Sequence, residues 1–168
     1  MPRVDVTVWH LELTPADFRP SARQASYAMV RLTAPSPEFL RFLYAAVGSG
    51  YHWTDRLPWA LEEWAGRLAD PSVEVWVAWA GGAPVGYVEL GRRDAGVVEI
   101  CYFGLLPHAV GNGQGGPLLS DAVARAWAMG ASRVYLNSCS LDHPAAMVNY
   151  RARGFHVVRE EVKTREIA

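Results

Sequence analysis

Cysteine is scarce in this chain: Cys101 and Cys139 are the two among 168 residues. Both lie in strand-like runs. They read as reduced, buried thiols in a reducing compartment, not as a disulfide framework. His10, His108 and His156 are scattered without ligand spacing, so no metal site is expected. No run of about 18 apolar residues exists to span a bilayer. The N-terminal stretch MPRVDVTVWHLEL is broken by Asp5, His10 and Glu12, which excludes a signal-peptide core. Excess charge of one sign is also missing. The formal net charge is −1, so no broad basic field is available for nucleic acid and any anion site must be local. Internal repeats, low-complexity segments and linkers are absent as well. With 51% hydrophobic residues, what remains is one cytoplasmic domain over residues 1–168 with an ordinary core, and with neither membrane nor nucleic acid as partner.

The stretch present in their place runs from Val97 to Met129. Val97–Leu106 is rich in β-branched and aromatic residues, as suits a buried strand, and Pro107 stops it. Gly111, Gly113, Gly115 and Gly116 follow. Leu118, Leu119, Ala122, Val123, Ala126 and Trp127 then recur at helical spacing. Glycines between a strand and a helix can present backbone N–H groups to an anion, usually a phosphate. The plainer alternative is a surface loop before an ordinary packed helix.

Earlier in the chain, Val4–Leu13 alternates as a strand, with a phase shift near Val8–Trp9 that suggests a bulge. Thr14-Pro15-Ala16-Asp17 starts a short helical turn, and Ser26–Thr33 forms a second strand. Leu40, Leu43, Tyr44 and Val47 make the stripe of a helix opened by Ser36-Pro37 and closed by Gly48 and Gly50. A second helix is expected from about Pro58 to Ala69, with Leu57, Leu61, Trp64 and Leu68 on one face. Val73–Ala80, Val85–Leu90 and the strand from Val97 form an antiparallel meander joined by short turns. Arg133–Ser138 is a strand, Pro144–Arg153 a short helix and Phe155–Val162 a last strand. The pattern predicts a mixed α/β sheet, mostly antiparallel, with helices on its faces.

This order, over about residues 36–162, resembles the GNAT superfamily of acyl-CoA-dependent N-acetyltransferases. Two motifs carry the resemblance. The family's loop, Arg/Gln-x-x-Gly-x-Gly/Ala, falls on Val110-Gly111-Asn112-Gly113-Gln114-Gly115, where Gly113 and Gly115 match and Val110 departs. Its second motif, Asn-x-x-Ala-x-x-Leu-Tyr-x-x-x-Gly-Phe, falls on His143 to Phe155. There Ala146, Tyr150, Gly154 and Phe155 match, while His143 stands for Asn and Asn149 for Leu.

The resemblance implies a sheet splayed between its fourth and fifth strands, here Val97–Leu106 and Arg133–Ser138, with acetyl-CoA in the gap. Its pyrophosphate is expected over the amides of Val110, Gly111, Asn112, Gly113, Gln114, Gly115 and Gly116. The amides remain although Val110 removes a side-chain contact. The pantetheine arm is expected on backbone groups of Phe103 and Leu105, as a strand adds to a sheet edge. His143 either pairs with pantetheine or belongs to simple capping of its helix by Asp142 or Ser140.

Acyl transfer to an amine needs a proton acceptor and a donor for the departing thiolate. Tyr150 is the family-matched acid, against a purely structural role in the core. Glu99 is the leading base, because strand alternation puts it on one side with Val97, Cys101 and Phe103, and Glu89 is the reserve. The acceptor pocket is expected from the first two helices and their connection, with Tyr44, His52, Trp53 and Asp55 as its residues and Trp64 as core. A small amine acceptor is expected, with a possible homodimer. Two alternatives stay open: a module that binds acyl-CoA without chemistry, and an acetyltransferase of protein amines. A nucleotide-binding reading fails to find Gly-Lys-Ser/Thr or a third dinucleotide-fingerprint glycine.

Overall fold

The computed structural model describes residues 1–167. Its elements in chain order are β1 (Arg3–Leu13), β2 (Ala28–Arg31), α1 (Pro37–Gly48), α2 (Leu61–Ala69), β3 (Val73–Ala80), β4 (Ala83–Arg92), β5 (Val97–Leu105), α3 (Gly115–Ala128), β6 (Arg133–Cys139), α4 (Ala146–Ala152) and β7 (His156–Glu166). The strands form one seven-stranded sheet in the order β2-β3-β4-β5-β6-β1-β7. All neighbours are antiparallel except β5 and β6.

Helices cover both faces because their apolar stripes each meet one side of the sheet. Leu40, Leu43, Tyr44 and Val47 of α1 and Trp64 of α2 pack on Val73, Val75, Val77 and Tyr87. On the other face Leu118, Leu119, Ala122, Val123 and Ala126 of α3, with Tyr150 of α4, pack on Val88, Leu90, Val98, Ile100 and Leu136. Burying each large side chain contributes roughly 1.5–3 kcal/mol, so these two layers supply most of the fold's driving force.

Three local expectations change. The second helix begins at Leu61, not near Pro58, and Leu57 is exposed. Residues 54–59 instead form tight turns, with Leu57 N–H donating to the Thr54 carbonyl and Trp59 N–H to that of Arg56. Those turns send Arg56 inward. The β1 irregularity lies between His10 and Leu11 in the pairing with β7, two residues later than the alternation suggests. It moves the buried set from even positions (Val6) to odd ones (Leu11, Leu13).

The third change bears on the site. Between β4 and β5 the register shifts so that Glu89 faces Tyr102 while Leu90 faces Ile100, leaving Cys101 as an extra residue. A bulge reverses side-chain parity beyond it. Val98 and Ile100 before the bulge, and Phe103 and Leu105 after it, therefore all meet the α3 face. Glu99 and Phe103 do not share a side, as unbroken alternation would have required.

Candidate active site

Strands β5 and β6 pair only through Val97–Arg133, Val98–Val134 and Glu99–Tyr135. Beyond Glu99 they diverge, and the β5 edge facing the gap has no strand partner. Leu106 N–H donates to the Val85 carbonyl at 2.9 Å, toward β4. By antiparallel alternation the backbone groups of Phe103 and Leu105 turn the other way, to the open edge. A cavity of about 940 Å³ fills this gap and reaches from the glycine loop to the connection after α1.

The loop closes one end. Gly111 (φ 89°) and Gly113 (φ 73°) adopt left-handed conformations that cost most residues about 1–2 kcal/mol. The chain thereby turns its amides outward before α3 begins at Gly115. Among the described residues, the N–H groups of Gly111, Asn112, Gly113, Gln114, Gly115 and Gly116 find no acceptor. Gln114 is buried, and its side-chain oxygen accepts from Ser26 N–H at 2.8 Å. Asn149 donates to the Gly115 carbonyl at 2.9 Å, tying α4 to the loop. Val110 is part-exposed at the cavity and offers no polar atom. Free amides, left-handed glycines and a helix N-terminus suit a phosphate group.

The middle of the gap holds Tyr150, which is 8% exposed. Its ring lies against Phe103 and Phe155, at 6.4 and 6.1 Å between centroids. Burial, with the Asp142 carboxylate adding to it, pushes its phenol well above the ordinary range. Ser138 beside it donates to Asp142 at 2.6 Å. His143 lines the cavity, and its Nδ1 accepts from Ala145 N–H at 3.0 Å in the turn before α4, which has no side-chain cap. Its ring meets Tyr51 edge to face at 5.9 Å, so the α1–α2 connection touches the start of α4 across the cavity mouth.

At the far end the candidate bases separate. Glu99 lines the cavity and pairs with Arg93, whose side chain is mostly exposed. The expected wholly apolar company is therefore replaced by an ion pair. Glu89 is fully buried and bound by two guanidiniums. Arg56 donates to both of its oxygens at 2.6 and 2.8 Å, and Arg67 donates at 2.9 Å. Both of its oxygens are thus held by arginine side chains. Arg56 is itself sandwiched between Trp59 and Tyr102, each 4.5 Å from ring centroid to guanidinium carbon. Arg67 also donates to the Cys101 sulfur at 3.2 Å, and burial pushes that thiol up, so it stays protonated.

The proposed acceptor residues gather at this end with unequal accessibility. Trp53 and Tyr102 meet at a tilt, with centroids 4.9 Å apart, and wall the cavity. Tyr44 is 1% exposed and its hydroxyl accepts from Arg56 N–H, so it forms the floor. His52 offers its carbonyl to Arg165, whose guanidinium stands 3.9 Å from the exposed Asp55. Trp64 is core, as expected. Arg23, Ser21, Arg67, Asn137, Arg153 and Arg165 also line the cavity, and no motif in the sequence points to them. They lie outside the two motifs or at unconstrained positions within them. No cluster of metal-ligating side chains occurs among the described residues. No helix there is long and apolar enough to cross a membrane.

The family model for the GNAT acetyltransferase family matches residues 30–155, and the chain belongs to that family. A GCN5-related N-acetyltransferase from Kribbella flavida shares the fold with a TM-score of 0.67 at 21% identity, over 93% of this chain and 56% of that one. A GCN5-related N-acetyltransferase from Sphaerobacter thermophilus gives 0.67 at 23%, over 94% and 50%. An acetyltransferase of the GNAT family from Colwellia psychrerythraea gives 0.68 at 11%, over 98% and 56%. The chain thus spans about half the length of these structures. No curated protein sequence matches it.

Gly113→Ala tests the loop directly. A Cβ there would meet the Arg23 guanidinium and adopt φ 73°. The substitution is expected to lower the unfolding free energy by about 1–2 kcal/mol in a denaturant titration. It should weaken CoA binding by at least about tenfold in calorimetry, because the amides move off their present line.

Proposed function

We propose that the chain transfers an acetyl group from acetyl-CoA to a primary amine of a small acceptor by direct attack in a ternary complex. The observation that carries this reading is the single gap between β5 and β6. It brings free loop amides, an open strand edge and a protonated tyrosine into one 940 Å³ cavity. Acetyl-CoA supplies the activated acyl group when bound. The amides of 111–116 hold its pyrophosphate, and Phe103 and Leu105 pair their backbone groups with its pantetheine amides. Tyr150 keeps its proton for the leaving sulfur. Glu99 takes the amine proton, directly or through water, since Glu89 is fully buried and bound by two guanidiniums. Trp53 and His52 border the acceptor end, with Tyr44 beneath.

Thiol release from acetyl-CoA across an amine panel tests the reading. Turnover is expected with at least one small amine. CoA binding with no turnover on any amine, peptide amines included, would instead make the chain a binding module. Glu99→Gln is expected to lower turnover by about a hundredfold or more while CoA binding is kept. Turnover within about twofold of wild type would remove Glu99 as the base.

A further inference from the structure

The glycine loop lacks the Arg or Gln side chain its family motif usually carries, because Val110 stands in that position. Two guanidiniums from elsewhere lie on the same loop. Arg23 rests over Gly113, where a Cβ would collide with it. Arg153, from the C-terminal end of α4, places Nη1 2.9 Å from where a Cβ of Gly116 would stand. Both line the cavity. Among the described residues neither has a carboxylate partner, and the Nε of Arg153 is buried with no acceptor.

This arrangement is unfavourable on its own. The N-terminus of the fourteen-residue α3 carries the positive end of its dipole, and its first turn contains no acidic residue. Two unpaired cations beside it and beside six free amides repel the same field. A polyanion in the loop reverses the sign of every one of these interactions. Guanidinium forks match phosphate oxygens in pairs.

The chain holds both cations in place deliberately. Residues 19–27 strap across α3 and α4. Arg19 N–H donates to the Arg153 carbonyl at 2.9 Å. Ser21 N–H donates to Ser120 at 2.8 Å, Ser26 N–H to Gln114 at 2.8 Å, and the Tyr27 hydroxyl to Asp121 at 2.7 Å. Arg23 sits in the middle of this strap, ahead of the residues 30–155 that the family model matches.

We propose that Arg23 and Arg153 together form a phosphate clamp that stands in for the absent Arg/Gln side chain, gripping the phosphates of acyl-CoA against the loop amides. The proposal rests on the acyl-CoA reading above. It makes the N-terminal strap part of the binding site.

Calorimetric titration of CoA into the full chain tests it, with Arg23→Ala, Arg153→Met and the double variant. Methionine keeps the buried stem of Arg153. Each single variant is expected to raise Kd about tenfold to a hundredfold, with a shallower dependence of Kd on salt. Parallel titration of dephospho-CoA identifies the phosphate: a loss retained there assigns the pyrophosphate, and a loss that disappears assigns the 3′-phosphate. Acetyl-pantetheine, which has no phosphate, should bind wild type and variants alike. Tight CoA binding by the wild type, with variants within twofold of it at the same salt slope, would overturn the clamp. A variant loss equal for CoA and acetyl-pantetheine would overturn it too, as a general structural effect. If the wild type binds no CoA at all, the acyl-CoA reading itself falls, and the clamp with it.

Discussion

Tyr150→Phe is expected to cut turnover by about tenfold to a thousandfold while leaving CoA affinity unchanged. The phenyl ring keeps the contacts with Phe103 and Phe155, so the substitution opens no cavity. Only the hydroxyl is lost, so the cost to stability is at most about 1 kcal/mol. On the proposed mechanism, what disappears is the proton for the leaving sulfur. Burial and Asp142 both disfavour the phenolate, so the wild-type group is protonated across the working pH range. Its titration therefore adds no basic limb to the wild-type profile between about pH 7 and 9. Thiol-release kinetics with the best amine of the panel, beside calorimetry with CoA, check both halves. Unchanged turnover would make Tyr150 a packing residue and put the acid elsewhere.

Glu89→Gln should produce the largest loss of stability of any single change at the site, about 3–5 kcal/mol. The glutamate is fully buried and, among the described residues, is the sole carboxylate bonded to Arg56, which is 8% exposed, and to Arg67. Removing its charge leaves two guanidiniums uncompensated, one of them packed between aromatic rings. Glutamine keeps the shape, so the loss measures charge and not a cavity. Chemical denaturation followed by tryptophan fluorescence reads it, since Trp59 and Trp64 surround Arg56. A loss below about 1 kcal/mol would show that the triad is not structural and would reopen Glu89 as a base. Set beside Glu99→Gln, the pair separates a folding carboxylate from a chemical one.

The parts of the site that could be read in advance are those built from neighbours in sequence. β5, the loop and α3 follow one another without interruption, and their signals are local: β-branched residues, left-handed glycines, a helical stripe. The Tyr150 segment is similarly self-contained. Even so, the reading of Glu99 failed at one step. Alternation predicts a shared face only while the ladder is unbroken, and the bulge at Cys101 is set by β4, which lies several residues away in the chain. The start of α2 was misplaced for a related reason. Leu57 continues the helical spacing, but the pull of Glu89 on Arg56 favours turns over residues 54–59.

By itself, then, the sequence determined the strand–loop–helix unit, the tyrosine-bearing helix and the two-faced sheet, because local propensity and apolar period decide each of these. Tertiary structure alone decided three things. It inserted β1 between β6 and β7, since seven strands with the same patterns admit several orders and only packing selects one. It enclosed Glu89 between two arginines that lie 33 and 22 residues away. And it laid Arg23 and Arg153 on the loop where Val110 offers no polar side chain. Each of these joins residues distant in the chain, where charge and shape find their partners only after the sheet has formed.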